Sequence, residues 1–281
     1  MLALQDPLSV PAITSRQHPI VKRFRAVARG DETAALVDGW HLIADAQRAS
    51  IEFEIVAVAG APPDREMSEL MRSLERSARV VEVSTDVMNA ISPVRSPSGV
   101  VALVARRPAK VADTLAPHPA LVVVAVDLQD PGNGGALIRA AEAGGVTGVI
   151  FCGASVDPWG WKPLRAAMGS TFRLPVAREA DPSSVVSALK HAGLRVAATV
   201  PRGGVPMHDA ALDHGLAILV GGEGEGLPPS LVESADVKLS IPMSGGVESL
   251  NVAVATAVLV YEARRQRGAD QAKLVATRRE R

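Results

Sequence analysis

Five polar residues between positions 133 and 251 have types that suit chemistry, and they fall in or just after three loops. Asn133 and Arg139 lie in "NGGALIR", Glu223 in "GGEGEG", and Ser249 and Asn251 in "SGGVESLN". An amide, a guanidinium, a carboxylate and a hydroxyl brought to one point can align reactants, hold an anion and stabilise charge that develops during a group transfer. Each residue also has a plainer reading. Asparagine before one helix and serine at the start of another are good N-caps, an arginine inside a helix is ordinarily a surface charge, and a loop carboxylate by default faces water. Capping accounts for one such loop more easily than for three.

What positions these loops is a set of apolar runs of strand length: LVVVAVDL at 121–128, LAILVGG at 216–222 and VKLSIPM at 237–243. Continuous apolar strands suit a parallel sheet covered on both faces, and the C-terminal ends of its strands share one edge where loops converge on a crevice. GVIF and RVAATV supply further strands, and helices fall over NGGALIRAAEAGG, VSALKHAGL and the apolar stretch VAVATAVLVY. The first hundred residues alternate strands AALVDG, EIVAVAG, RVVEVS and GVVALVAR with helices over HLIADAQRA and 64–77. The pattern predicts an α/β protein of two domains: a small one over 1–105, a proline-rich linker over 106–119, a parallel-sheet domain over 120–268 and a basic tail over 269–281.

Several chemistries are excluded or disfavoured. GGEGEGL has no GxGxxG spacing and follows a late strand, no GxxxxGK[ST] loop exists, and no GxSxG elbow argues for a hydrolase. The chain has one cysteine, Cys152, and its six histidines form no HExxH pair, so no metal site is expected. After the apolar GVIF, Cys152 reads as a small buried residue rather than a reactive thiol. No apolar run approaches the roughly 18 residues that span a bilayer, and the N-terminal stretch lacks the basic start and apolar core of a secretory signal. A cytoplasmic protein without a membrane partner is expected.

Net charge is zero, with 30 basic and 30 acidic residues, so overall electrostatics announce no nucleic-acid partner. Local charge says more. Arg16, Lys22, Arg23, Arg25 and Arg29 follow one another with no acid between them, and a second basic group runs from Arg264 to Arg281 through Arg265, Arg267, Lys273, Arg278 and Arg279. Each alone reads as a solvated face or tail, and together they point to a test of RNA or DNA binding.

Asn133, Gly135, Ala136 and Arg139 resemble the motif Asn-x-Gly-Ala-x-x-Arg, Gly221, Glu223 and Gly226 resemble a second motif, and IPMSGGVESLNVAVA is similar to a third. In this order they resemble the SpoU (TrmH-like) branch of the SPOUT methyltransferases over about residues 120–267. The first domain resembles, more weakly, an L30e-like substrate-binding domain. The resemblance implies a parallel sheet tied into a deep trefoil knot, an exception to the rule that chains do not thread their own loops, and so a site built from the C-terminal strand and helix.

The resemblance also implies S-adenosylmethionine as cofactor, held by Val220, Gly221, Gly222, Glu223, Gly226, Ile241, Met243, Ser249 and Leu250. Its methyl group would pass to a ribose 2′-hydroxyl of RNA, with Asn133, Arg139, Glu223, Ser249 and Asn251 as the catalytic set, and Glu223 pairing with or orienting Arg139. A guanidinium, with a pKa above about 12, is a poor free base. Arg139 therefore either holds the neighbouring phosphate and stabilises the oxyanion, or loses its proton only in a closed, desolvated complex. The extra N-terminal domain favours 23S rRNA as substrate; tRNA, or a non-catalytic RNA-binding role, are the alternatives. Arg16, Lys22, Arg23, Arg25 and Arg165 are the expected RNA contacts, and the protein is expected to be a homodimer. WGWKPLRAAMGSTFRLPV at 159–176 is similar to a segment that more often reads Arg-Ala-Ser-x-Gly-Ala, from which Ala167 and Ser170 depart. Trp159 and Trp161 either stack on a flipped nucleotide or are packing or dimer residues.

Overall fold

The computed structural model describes residues 12–224 and 226–279, with 269–279 described by backbone alone. The chain divides into two compact units, Met1–Arg107 and Pro108–Arg281. The first contains α1 (Pro19–Ala28), β1 (Ala35–Asp38), α2 (Trp40–Arg48), β2 (Phe53–Val58), α3 (Arg65–Ser77), β3 (Arg79–Glu82), α4 (Thr85–Ile91) and β4 (Val100–Val104). Its sheet has the order β1-β4-β2-β3, with β4 antiparallel to both neighbours and β2 parallel to β3. Pro19 opens α1, whose apolar stripe Ile20, Val21, Phe24 and Val27 is buried. Asp64 caps α3 by accepting from the Met67 N–H at 2.8 Å, and Ser84 caps α4.

In the second unit follow β5 (Leu121–Val126), α5 (Pro131–Gly144), β6 (Gly148–Cys152), α6 (Trp161–Ala167), β7 (Val176–Glu179), α7 (Pro182–His191), β8 (Arg195–Thr199), β9 (Val205–Pro206), β10 (Leu216–Gly221), α8 (Pro229–Ser234), β11 (Val237–Ser240) and α9 (Val252–Arg279). Seven parallel strands stand in the order β7-β6-β5-β10-β8-β11-β9. Every residue of β5 is buried, and alternate residues serve opposite faces. Leu121, Val123 and Ala125 join a core with Leu137, Ile138 and Ala141 of α5 and Leu259, Val260 and Ala263 of α9. Val122, Val124 and Val126 join another with Val185, Val186 and Leu189 of α7 and Leu231 of α8.

Two segments depart from the pattern read in the sequence. The stretch 106–119, taken as linker, carries a 3-10 helix, Val111–Leu115, whose Thr114 is fully buried. A Cβ on Gly148 of β6 would lie 2.4 Å from the Thr114 Cβ, so this segment packs tightly on the parallel sheet. The strand expected over VKLSIPM ends at Ser240, because Pro242 has no N–H to donate to a ladder, and Ile241 and Met243 fall in the following loop. Helix α9 continues to Arg279; the side chains of Lys273, Arg278 and Arg279 and all of Arg281 lie outside the described residues.

Cys152 ends β6 fully buried, and desolvation, with Glu179, Asp181 and Asp127 adding like charge, pushes its thiol up to about 12. It is a packing residue, protonated at neutral pH. Among the described residues no helix is long and apolar enough to cross a membrane, and no cluster of metal-ligating side chains occurs.

Candidate active site

The loops after β5, β10 and β11 meet at the C-terminal edge of the parallel sheet. Their approach is close enough to exclude side chains at two glycines. A Cβ on Gly222 would stand 2.1 Å from the Asp127 carbonyl oxygen, and one on Gly221 would stand 2.2 Å from the Gly226 carbonyl carbon. The backbone of the β10 loop therefore lies directly on the β5 loop, with the Gly222 N–H donating to the Val126 carbonyl at 2.8 Å.

A continuous hydrogen-bonded chain links the three loops. Asn251 caps α9, its Oδ1 accepting from the Ala253 and Val254 N–H groups at 2.9 and 3.4 Å. Its Nδ2 donates to Asn133 Oδ1 at 2.8 Å, and Asn133 Nδ2 in turn donates to Glu223 Oε1. Both amides are thereby fixed in orientation, and the relay of donors ends on the carboxylate.

This arrangement corrects three expectations. Asn133 is not the N-cap of α5; Asp130 is, accepting from the Asn133 N–H at 2.7 Å, and Asn133 sits inside the first turn with its side chain available to the other loops. Ser249 does not cap α9, since Asn251 does. Glu223 is engaged by Asn133, not by Arg139.

Beside this chain lies a cleft of about 490 Å³, within the range of sites for small ligands. Val220, Gly221, Gly222, Glu223, Gly226, Ile241, Met243, Ser249 and Leu250 all line it, as do Asn251 and the first turns of α9. Its walls are largely apolar, and among the described residues Glu223 is the only charged lining side chain. Sequence reasoning missed one wall, Thr199, Val200 and Pro201, at the end of β8. The run RVAATVP held that signal: a strand of the same parallel sheet must end on the same edge.

Arg139 does not line the cleft. It is exposed on α5 and makes no hydrogen bond or ion pair among the described residues. Gly135, one turn earlier, fixes the neighbouring contact: a Cβ there would meet Pro163 O at 2.4 Å, so α5 and α6 touch backbone to backbone. Trp159 is 3% exposed and packs against Phe172 with ring centroids 6.0 Å apart, which settles it as a packing residue; Trp161 is partly exposed.

The basic groups divide in the same way. Arg16 and Lys22 are exposed, Arg16 facing Asp86 at 3.7 Å. Arg23 is committed within its own unit: Nε and Nη2 donate to Glu54 at 3.0 and 2.8 Å, and Nη1 donates to Asp31 at 3.0 Å and to Thr33 at 2.8 Å. Hydrogen bonding to Thr33 holds the Asp31 carboxyl below its ordinary value, and Arg23 lowers it further. Arg25 donates through Nε to the Ala90 carbonyl at 3.0 Å. Arg165 is exposed on α6. Near the C-terminus Arg264 donates to the Ala143 carbonyl and Arg265 pairs with Glu262.

Residues 120–261 match the model of the SpoU rRNA methylase family, and residues 21–102 match that of the MRM3-like substrate binding domain. A Bacillus subtilis protein, 23S rRNA (guanosine(2553)-2′-O)-methyltransferase RlmP, is 34% identical over 230 residues, covering 82% of this chain and 88% of that protein. An S-adenosylmethionine-bound rRNA methyltransferase from Sinorhizobium meliloti superposes with a TM-score of 0.81 at 30% identity, covering 91% of this chain and 97% of that one. The SpoU methyltransferase AviRb from Streptomyces viridochromogenes, in complex with the same cofactor, gives a TM-score of 0.81 at 26% identity over 90% of this chain and all of that one. The fold and site are those of an α/β methyltransferase. The chain belongs to the SpoU rRNA methylase family.

Proposed function

We propose that the protein is an S-adenosylmethionine-dependent RNA ribose 2′-O-methyltransferase acting on 23S rRNA. The observation that carries this reading is the Asn251–Asn133–Glu223 chain, which fastens three motif-bearing loops together on the rim of the glycine-floored cleft. The cleft fits the cofactor in kind: apolar walls at Ile241, Met243 and Leu250 suit an adenine, loop backbone at Gly221 and Gly222 offers bare polar groups to its edge, and Glu223 complements a cationic ligand. When bound, the cofactor supplies the electrophilic methyl group.

The chain's own residues align and stabilise. Asn133 holds the Glu223 carboxylate in place, Asn251 holds Asn133, and Ser249 contributes a hydroxyl to the cleft. Arg139, outside the cleft and without a partner among the described residues, is positioned to meet the RNA, hold a phosphate and stabilise the alkoxide that develops at the 2′-oxygen. Exposed Arg16 and Lys22 supplement phosphate contacts from the N-terminal unit; Arg23, fully engaged, serves its fold.

The reading includes a cytoplasmic homodimer and the family's deep knot. The outer face of α9 supports the dimer: Val254 and Tyr261, two turns apart, are 49% and 50% exposed on a helix whose other face is core. Transfer of labelled methyl from S-adenosylmethionine to protein-free 23S rRNA, 16S rRNA and bulk tRNA in parallel tests the function. Label in 23S rRNA alone is expected. Label in tRNA keeps the chemistry and removes the substrate assignment, and cofactor binding without label in any RNA or in assembled ribosomal particles points to a non-catalytic RNA-binding protein.

A further inference from the structure

Helix α6 and the adjoining face of α5 form a surface that the cleft does not explain. Gly135 lies flat on α6, where its Cβ would stand 2.5 Å from the Ala166 methyl, and Arg139, four residues on, projects from the same side of α5. On α6, Trp161 and Arg165 are also four residues apart, and both reach solvent. Met168, left-handed at φ 50°, ends the helix 53% exposed. The Lys162 ammonium sits 5.5 Å from the centroid of the Trp161 ring.

This surface carries cations as well as the indole. Among the described residues, Arg139, Lys162 and Arg165 make no ion pair and no side-chain hydrogen bond. Nearby acids are already taken: Glu142 by Arg173, at 2.6 and 2.9 Å, and Asp157 in part by the Trp159 N–H. Unlike Arg23, which Glu54 and Asp31 neutralise, these three cations stand unpaired on the two packed helices that also present one accessible indole. Cations that track phosphates beside an aromatic face that takes a base are the chemistry of single-stranded nucleic-acid binding.

We propose that the face formed by Trp161, Lys162, Arg165 and Arg139 receives an unpaired stretch of the RNA substrate, with a base stacked on Trp161 and its phosphates on the three cations. This rests on the methyltransferase reading and adds to it the place where the strand is held. It also separates the two tryptophans: Trp159 packs, and Trp161 recognises.

The chain carries its own reporter. Of its three tryptophans, Trp40 and Trp159 are 6% and 3% exposed, so Trp161 is the one that a base can reach. Polyuridylate titrated into the full chain is expected to quench tryptophan emission, while duplex RNA quenches much less. Trp161→Phe should remove the quenching. Trp161→Ala should weaken polyuridylate binding, followed by anisotropy of labelled RNA, roughly tenfold or more. Arg165→Ala, an exposed substitution that leaves the indole in place, should reduce the salt dependence of binding by about one phosphate contact. Cofactor affinity should stay the same in all three variants.

Polyuridylate binding that leaves emission unchanged and is indifferent to Trp161→Ala would overturn the proposal, as would equal quenching by duplex RNA or no binding at all. Quenching by polyuridylate in a protein that binds no S-adenosylmethionine would retain the docking face and remove the methyltransferase reading beneath it.

Discussion

Asn133 shows how much a single side chain carries. Capping by Asp130 frees its amide, which then joins the two other loops. Asn133→Asp, nearly isosteric, would set a second carboxylate against Glu223. Like charges in contact raise one of the two pKa values, so ionising both at neutral pH forces the loops apart. Cofactor affinity in this variant should fall at neutral pH and partly recover as pH drops and the pair takes up a proton, a trend that calorimetry in a pH series detects; affinity independent of pH would mean that the contact does not form in solution. Arg139→Ala tests the other half of the site. Removing an electrostatic stabiliser that does not line the cleft should reduce methyl transfer by about 10²–10³ and leave cofactor affinity within about twofold. Lost folding or dimerisation instead would demote Arg139 to a structural residue.

At the scale of elements, β5, β6, β8 and β10 and the helices α2, α3, α5 and α7 were legible, because their apolar residues run continuously or at helical spacing. Three short elements were not: β9 has two residues, α8 six behind a proline, and only the first two of the four residues of β7 are buried and apolar. The segment before β5 was also hidden, since its prolines broke the pattern while one buried threonine supplied the packing. The nine residues expected to hold the cofactor all line one cleft, because motif and strand end coincide. The bonds among Asn133, Glu223 and Asn251 were not legible, as they join residues far apart in sequence whose meeting depends on strand order.

The anchoring of α9 was hidden too. Arg267, counted in the sequence as one of the second basic group, fans its guanidinium onto carbonyls: Leu212 at 3.2 Å, Pro119 at 2.7 Å, Ala120 at 3.1 Å, and His214. Burial lowers its pKa from the ordinary value, yet the guanidinium stays charged. These bonds fasten the far part of the helix whose first turns wall the cleft. Arg267→Ala takes a donor from four carbonyls, of which Ala120 still accepts from the Leu216 N–H, and should cost about 3 kcal/mol, read as a lower urea midpoint at unchanged slope. A change below about 0.5 kcal/mol would place it with ordinary surface residues.

For the whole molecule, zero net charge conceals an uneven distribution: cations of the N-terminal helix are partly neutralised within their own unit, while those around Trp161 are not. Removing residues 1–107 should weaken RNA binding more than cofactor binding, because the cleft belongs to the second unit alone. Equal loss of both would contradict this division of labour. The most direct measurement of the central claim is the chemical position of the transferred methyl group. Labelled 23S rRNA product digested with alkali should retain its label in an alkali-resistant dinucleotide, because a methylated 2′-oxygen cannot attack the adjoining phosphate. Label released in single nucleotides, on the base, would show that these loops serve a different methyl transfer.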